Sequence, residues 1–361
     1  MYSYSYFLYF LSSSSFQRLT RRLRVPTLLF RLLLNEIMKI SLSASCKKAA
    51  AEPPLIDFQR RNTINLKPFF RQKDKLVFVM GATGTGKSRL AVNLATRFPA
   101  EIVNSDKIQI YKGLEVVTNK VTEKECCGVP HHLLGIADPN SNFTAVDFRH
   151  VAMSTINSII GRHRLPIVAG GSNSFIESLV DGDAEFRYQY ECCFLWIDVS
   201  LPILHSFVSE RVDRMLDNGF INEVRNLFDS NENDYTRGIR RAIGVPELDA
   251  FLRAEMDSAT DYRARSRILE AAILKTKENT RKLAFRQWQN ICRLRRKRGW
   301  NLHRIDATEV FQHRDNEQQF DHVWEALVTE PASKILHQFL CQNTYTVNIP
   351  TTTIKSNLTV F

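Results

Sequence analysis

The chain has no apolar run of the ~18 residues that a membrane-spanning helix needs, arginines or serines interrupting every apolar stretch of the first 50 residues, so no membrane span is expected. It has no Cys-x-x-Cys spacing either. Its 7 cysteines (Cys46, Cys126, Cys127, Cys192, Cys193, Cys292 and Cys341) form an odd set with two adjacent pairs, which fits a reducing compartment better than a disulfide framework. Internal repeats and coiled-coil heptads are missing, which excludes solenoids and rods. Acidic residues are scarce in residues 1–50, where Arg18, Arg21, Arg22, Arg24, Arg31, Lys39, Lys47 and Lys48 face only Glu36. That stretch carries a net +7 of the total +11, leaving +4 for the rest, too little to imply a general nucleic-acid binder.

What is present is an ordinary globular composition: 361 residues, 44% hydrophobic and 24% charged. The first part stands apart. Aromatic and leucine runs (Tyr6 to Leu11, Leu28 to Leu34), the serines Ser12 to Ser15 and scattered arginines have the chemistry of an organelle transit peptide. We expect plastid import, with the mitochondrion as alternative, or a cytoplasmic product if translation starts at Met38. Residues 51–73, with Pro53, Pro54 and Pro68, read as a linker, so that 1–73 is leader plus linker.

From Lys75 the apolar run Lys-Leu-Val-Phe-Val-Met leads into Gly81-Ala82-Thr83-Gly84-Thr85-Gly86-Lys87-Ser88 and then a helical pattern to Phe98. This is a complete Walker A loop in its required strand–loop–helix setting. Its glycines let successive N–H groups and a helix N-terminus converge on phosphate oxygens, Lys87 adds positive charge, and Ser88 offers a hydroxyl to Mg²⁺. Further short strands at 101–104, 165–169 and 193–199, alternating with helices, predict an α/β fold: a P-loop NTPase-like core with a mainly parallel sheet over 74–203. Residues 204–298 read as a helical lid subdomain, with apolar residues three and four apart in 208–216, 221–228 and 268–294. A returning strand and closing helices fill 299–340, and 341–361 reads as a frayed tail.

A Walker A loop binds a diphosphate without saying which one. A GTPase needs Asn-Lys-x-Asp, and Asn119-Lys120-Val121-Thr122 lacks the aspartate. A hydrolytic motor needs more carboxylate than Asp106 and Asp198 supply at strand ends. A small-molecule kinase stays open on the loop alone.

The strings after the loop narrow the choice: Asn104-Ser105-Asp106-Lys107-Ile108-Gln109-Ile110-Tyr111, Val117-Thr118-Asn119-Lys120, Gly128-Val129-Pro130-His131-His132-Leu133-Leu134-Gly135, Gly170-Gly171-Ser172-Asn173-Ser174-Phe175-Ile176 and the stretch from Cys192 to Val199. Over about 75–307 the chain resembles plant adenylate isopentenyltransferases, which begin cytokinin synthesis. The resemblance implies that dimethylallyl diphosphate and an adenine nucleotide (AMP, ADP or ATP) are the substrates. Lys87, the loop amides of Gly81 to Ser88 and Mg²⁺ on Ser88 would stabilise the departing diphosphate. Asp106 would accept a hydrogen bond from the N6 amine and act as general base. The resemblance also places Ser172 near the bridging oxygen and assigns Arg187 to phosphate contact. Thr280-Arg281-Lys282-Leu283-Ala284-Phe285-Arg286-Gln287 resembles the Thr-Arg-x-x-Ala-x-Arg-Gln pattern of bacterial tRNA-modifying relatives, which makes Arg281 and Arg286 lid arginines for the diphosphate. The rival acceptor, adenosine in tRNA, is disfavoured: only Cys341 lies beyond Cys292, so the Cys₂His₂ finger of eukaryotic tRNA-modifying members cannot form. His131 and His132 have no cysteine or carboxylate at metal spacing and read as structural, and the two cysteine pairs read as small buried hydrophobes. The basic run Arg293 to Arg298 is what the C-terminal end of a helix favours.

Overall fold

The computed structural model describes residues 70–297, 299–342 and 345–347, all in a compact unit that spans Leu66–Phe361. The expected transit peptide and most of the linker lie outside the described residues. Strand β1 (Phe70–Gln72) precedes β2 (Asp74–Gly81), the P-loop and helix α1 (Lys87–Arg97). Then follow β3 (Ala100–Asn104), the short α2 (Glu123–Cys126), β4 (His131–His132), α3 (Ala145–Gly161), β5 (Leu165–Ala169), α4 (Asn173–Asp181), the one-turn α5 (Phe186–Gln189) and β6 (Tyr190–Asp198). A helical section comprises α6 (Leu201–Asp217), α7 (Phe220–Leu227), a 3₁₀ turn (Gly238–Arg241), α8 (Val245–Met256) and α9 (Tyr262–Arg295). The chain returns through β7 (Leu302–Asp306), α10 (Thr308–Gln312), α11 (Glu317–Trp324), a π-turn (Glu325–Thr329), α12 (Glu330–Cys341) and β8 (Tyr345–Val347).

Six strands form one sheet in the order β4-β3-β5-β2-β6-β7, every pair parallel. The all-parallel sheet needs cover on both faces, and β2 shows why its residues are apolar throughout. Leu76, Phe78 and Met80 enter one core with Phe148, Phe175, Phe194 and Trp196, while Val77 and Val79 enter the other with Leu90, Leu195, Trp324 and Leu336. The first core runs on into the helical section through Phe220, Leu248 and Ile291, so that section shares its packing with the sheet. At the centre of the sheet the chain reverses direction across β2: β3 and β5 lie on one side, β6 and β7 on the other. Ligands of open α/β sheets bind at the C-terminal strand ends beside such a reversal, and the P-loop stands there.

Local chemistry fixes the helix ends. Thr144 and Asp147 form a capping box for α3, with Thr144 Oγ1 accepting from Asp147 N and Asp147 Oδ2 accepting from Thr144 N. Asp261 caps α9, accepting from Ala264 N at 2.6 Å. Helix α9 has 34 residues, about 50 Å of rise, and buries Ala272, Thr276, Thr280, Ala284, Gln287, Ile291 and Leu294 along one stripe. The two threonines satisfy their hydroxyls on the carbonyls one turn back, Thr276 on Ala272 and Thr280 on Thr276.

Two boundaries differ from the sequence reading. The pairing of β1 with β8 brings part of the expected linker and part of the expected tail into a two-stranded antiparallel ribbon. Two such short segments carry no hydrophobic alternation of their own, so only their partnership marks them. Of the cysteines, Cys193 is buried, but Cys127 is exposed, held at a positive φ of 49° in the turn after α2. The histidine pair is structural as expected: His132 Nε2 meets Glu101 at 2.7 Å and His131 Nδ1 meets the Val129 carbonyl at 2.8 Å, both on the edge strand β4. At the end of α9, Arg293 and Lys297 grip Glu177 on α4, so those members of the basic run are engaged within the fold.

Candidate active site

The cavity at the C-terminal ends of the strands has a volume of about 820 Å³. Its floor is the P-loop. Gly86 takes φ 87° at the N-cap of α1, and a Cβ there would lie 2.4 Å from the Trp324 ring, so this position excludes any side chain on both conformational and steric grounds. Trp324 is itself fixed by donating from Nε1 to Asn93 Oδ1 at 3.0 Å. The closing helices thus shape the anion loop from outside.

Lys87 Nζ donates to the Ala82 carbonyl at 2.7 Å, folded back on its own loop. Burial lowers its pKa to about 8; the carboxylate of Asp106 opposes that shift, and the neighbouring Arg211 guanidinium adds to it. Arg211, on α6, is likewise lowered to about 10 by burial, by Arg214 beside it and against the pull of Asp106. Its Nη2 donates to Thr83 Oγ1 at 2.9 Å, while Nε is buried without a partner. A second guanidinium with an unpartnered buried Nε, Arg241, reaches the Tyr111 hydroxyl at 3.2 Å. Eight lysines and arginines line the cavity (Lys87, Arg89, Lys107, Arg211, Arg214, Arg241, Lys282 and Arg286) against two acids, Asp106 and Glu125. Such a chamber attracts polyanions and holds cations that gain partners when one arrives.

Asp106 follows β3 and uses its two oxygens differently. Oδ1 accepts from Ile108 N at 2.9 Å and Gln109 N at 3.4 Å, which closes an Asx-turn; Oδ2 is directed past Gly171, 3.6 Å from where a Cβ on that glycine would stand. The loop-capping role and a chemical role are therefore compatible in one side chain. Ile108, Val117, Val212, Met215, Ile243 and Leu283 contribute apolar wall to the same cavity. Loop 112–122 is held in place by Glu223 of α7, which accepts from Val116 N and Val117 N at 3.1 and 2.8 Å.

The other expected site residues divide. Gly84, Gly86, Thr83, Ser88 and Arg286 line the cavity with Lys87 and Asp106, and Gly81, Ala82 and Thr85 form the turn beneath them. Ser172 does not line it: its buried Oγ accepts from Lys107 N at 2.8 Å and so braces the Asp106 turn. Arg281 is outside the lining as well, on the exposed side of α9 where its charge lowers the pKa of His205 further than burial alone does. Arg187 is a correction. It stands on α5 before the N-terminal end of β6, whereas the P-loop follows the C-terminal end of β2, and β2 and β6 run parallel from Asp74↔Tyr190 to Gly81↔Ile197. Arg187 is separated from the P-loop by the length of the sheet, about 23 Å for eight residues. There it donates to Asp181 Oδ1 at 2.8 Å and to the Gly299 carbonyl at 2.9 Å.

Sequence reasoning missed Arg211, Arg241 and the role of Gln287. Gln287 is buried on α9 and accepts from Thr83 N at 2.7 Å through Oε1 while Nε2 donates to the Gly171 carbonyl at 2.9 Å. Its signal was available: a glutamine in the otherwise apolar or small stripe of α9, closing the Thr-Arg-x-x-Ala-x-Arg-Gln string.

A parallel α/β domain with a P-loop, a cationic chamber and a carboxylate facing it is the arrangement of an enzyme that handles a diphosphate-bearing substrate. Comparison with known proteins narrows that class. The model of the IPP transferase family matches residues 109–189 and 182–293. Adenylate isopentenyltransferase 5 of Arabidopsis thaliana, a chloroplastic protein, is 59% identical over 292 residues, covering 80% of this chain and 86% of its own. Adenylate isopentenyltransferase 7 of the same plant, a mitochondrial protein, is 51% identical, covering 85% and 92%, and the adenylate isopentenyltransferase of Humulus lupulus is 42% identical, covering 73% and 89%. Among solved structures, the full-length tRNA isopentenylpyrophosphate transferase of Bacillus halodurans superposes with a TM-score of 0.55 at 25% identity, covering 73% of this chain and all of its own. A eukaryotic dimethylallyltransferase acting on tRNA shares the fold, with a TM-score of 0.61 at 21% identity over 77% of this chain and 82% of its own. The chain belongs to the IPP transferase family, on its adenylate isopentenyltransferase branch.

Proposed function

We propose that this protein transfers the dimethylallyl group of dimethylallyl diphosphate to the N6 amine of AMP, ADP or ATP, the opening step of cytokinin biosynthesis. The observation that carries the proposal is the placement of Lys87 and Asp106 on one cationic cavity, in a chain 59% identical to an adenylate isopentenyltransferase. In the reaction the allylic C–O bond breaks, the N6–C bond forms, diphosphate leaves and one N6 proton is lost. Lys87 and loop N–H groups other than that of Thr83, which donates to Gln287, hold the leaving diphosphate, with Arg211 beside Thr83 adding positive charge. Asp106 Oδ2 takes up the hydrogen bond from N6 and then the proton, while Oδ1 stays occupied by the turn. The apolar wall from Val117 to Leu283 keeps water from the allylic centre.

Mg²⁺ suits these residues. Ser88 supplies one exposed hydroxyl at the head of α1, and among the described residues no group of three or more His, Cys, Asp or Glu side chains could cage a metal. Mg²⁺ bound through substrate phosphates keeps most of its waters and needs only one or two protein oxygens, so Ser88 would hold it and its charge would further stabilise the leaving group. The similarity to chloroplastic and mitochondrial relatives supports a plastid or mitochondrial destination. Imaging residues 1–73 fused to a fluorescent protein tests that part.

The activity is tested by incubating the purified chain with dimethylallyl diphosphate and Mg²⁺, offering AMP, ADP, ATP and unmodified tRNA side by side and resolving products by mass. Prenylated nucleotide without prenylated tRNA is the expected result. Label in tRNA alone would move the protein to the tRNA-modifying reading, and phosphoryl transfer from ATP without prenylation would make it a kinase.

A further inference from the structure

We infer that Gln287 is a positioning residue that sets the distance between the diphosphate loop and the carboxylate of Asp106, and so keeps the allylic carbon for the acceptor amine and away from water. Its amide orientation is dictated by its partners: the Thr83 N–H can only donate and the Gly171 carbonyl can only accept, so Oε1 faces the loop and Nε2 faces Gly171. A second tie comes from its backbone carbonyl, which accepts from Asn173 Nδ2 at 3.0 Å. From Gly171 the connection continues to the base. Ser172 Oγ accepts from Lys107 N at 2.8 Å, next to Asp106, and a Cβ on Gly171 would meet Gln287 Nε2 at 2.5 Å and Asp106 Oδ2 at 3.6 Å.

One side chain thus brackets the two halves of the site, the loop that holds the leaving group and the turn that holds the base. Because Gln287 sits on α9, the bracket also requires that helix to be seated on the sheet. The Thr83 N–H is turned towards Gln287 and is withheld from the phosphate, which makes the residue a fixed point of the loop and not a ligand of the donor. Removing the amide leaves the donor's remaining contacts in place but frees the loop and the turn to drift apart. A displacement of about 1 Å in a reacting pair costs on the order of a hundredfold in rate. A misaligned allylic centre is then captured by water: the C–O bond breaks, a C–O bond to water forms, its proton goes to solvent, and diphosphate is released without prenylated nucleotide.

The inference rests on the proposed prenyl transfer, and the wild-type assay separates the two: wild-type protein that makes no prenylated nucleotide removes that reading before any variant is compared. The variants are Gln287→Met, of similar length without polar atoms, and Gln287→Glu, which keeps the acceptor for Thr83 and loses the donor to Gly171. Each is assayed for kcat, donor dissociation constant and prenylated nucleotide formed per diphosphate released, with thermal melting as the check on folding. For folded Gln287→Met we expect a 30- to 100-fold loss in kcat, a donor dissociation constant within threefold of wild type, and a product-to-diphosphate ratio well below one. Gln287→Glu should lose about tenfold in kcat with a partial fall in that ratio. Wild-type kcat with a ratio of one, or a loss confined to donor affinity, overturns the inference. If Gln287→Met does not fold, the same readouts on Gln287→Glu decide it.

Discussion

The two oxygens of Asp106 make separate demands, and a pair of substitutions takes them apart. Asp106→Asn preserves an Oδ1 that accepts from Ile108 N and Gln109 N, so the turn after β3 should survive. Asp106→Ala removes the cap. Losing an Asx-type cap costs about 1 kcal/mol, with a range of about 0.5–2. For a domain of this size that corresponds to a fall in Tm of about 2–4 °C. Asp106→Asn should melt within about 1 °C of wild type, given an expected stability change below about 0.5 kcal/mol for a conserved turn. On the proposed role of Asp106 both variants lose the general base, whose ordinary contribution is about 10² to 10⁴ in rate. The assay is single-turnover prenyl transfer with saturating donor and acceptor, read beside thermal unfolding of the same preparations. Asp106→Asn that transfers within tenfold of wild type would refute the base assignment and leave Asp106 as a turn residue. Equal melting temperatures for the two variants would instead refute the capping argument.

Three further outcomes follow from the same geometry. Burial lowers the Lys87 ammonium to about 8, so on its proposed role of holding diphosphate while charged, donor affinity measured by calorimetry should weaken progressively as pH rises through 8 towards 9.5; Lys87→Met should bind weakly with little pH dependence over that range. Arg187→Ala should leave the donor dissociation constant unchanged while lowering stability by about 1 kcal/mol through loss of the Asp181 and Gly299 contacts, and a tenfold loss of donor affinity would return Arg187 to the site. Glu177 is held down to about 2 by hydrogen bonds from Arg293, then Lys297, against the opposing effect of burial. A depressed carboxylate stabilises the fold above its unfolded pKa and loses that contribution as pH falls from about 4.5 towards 2; after solvent screening this is about 1 kcal/mol, and Glu177→Gln should flatten that part of the pH–stability curve.

The fold was legible where local pattern and tertiary demand agree. The run from Leu76 to Met80 must be a buried strand, and the eight residues Gly81 to Ser88 allow one backbone path. Asp106 is assigned by the resemblance, and the topology agrees with it, since a carboxylate two residues past a strand stands at the same end of a parallel sheet as the P-loop. By the same rule a residue preceding a strand, as Arg187 precedes β6, stands at the opposite end of the sheet. Arg211 and Arg241 gave no such sign, since an arginine on an amphipathic helix or in a 3₁₀ turn looks alike whether it faces solvent or an anion chamber. The close seating of α6 on Gly84, where Val208 would be 2.7 Å from an added Cβ, accompanies the turn of Arg211 towards Thr83.

The contact between Trp324 and Gly86 has a consequence in time. Synthesis runs from the N-terminus, so the donor loop emerges with the second strand of the fold, long before the tryptophan that closes against it. A growing chain can form the strand and the glycine turn early, but it lacks the wall that fixes their shape until the closing helices have followed. The binding loop is among the first parts to be made and among the last to be finished, which ties competence for an allylic substrate to completion of the polypeptide.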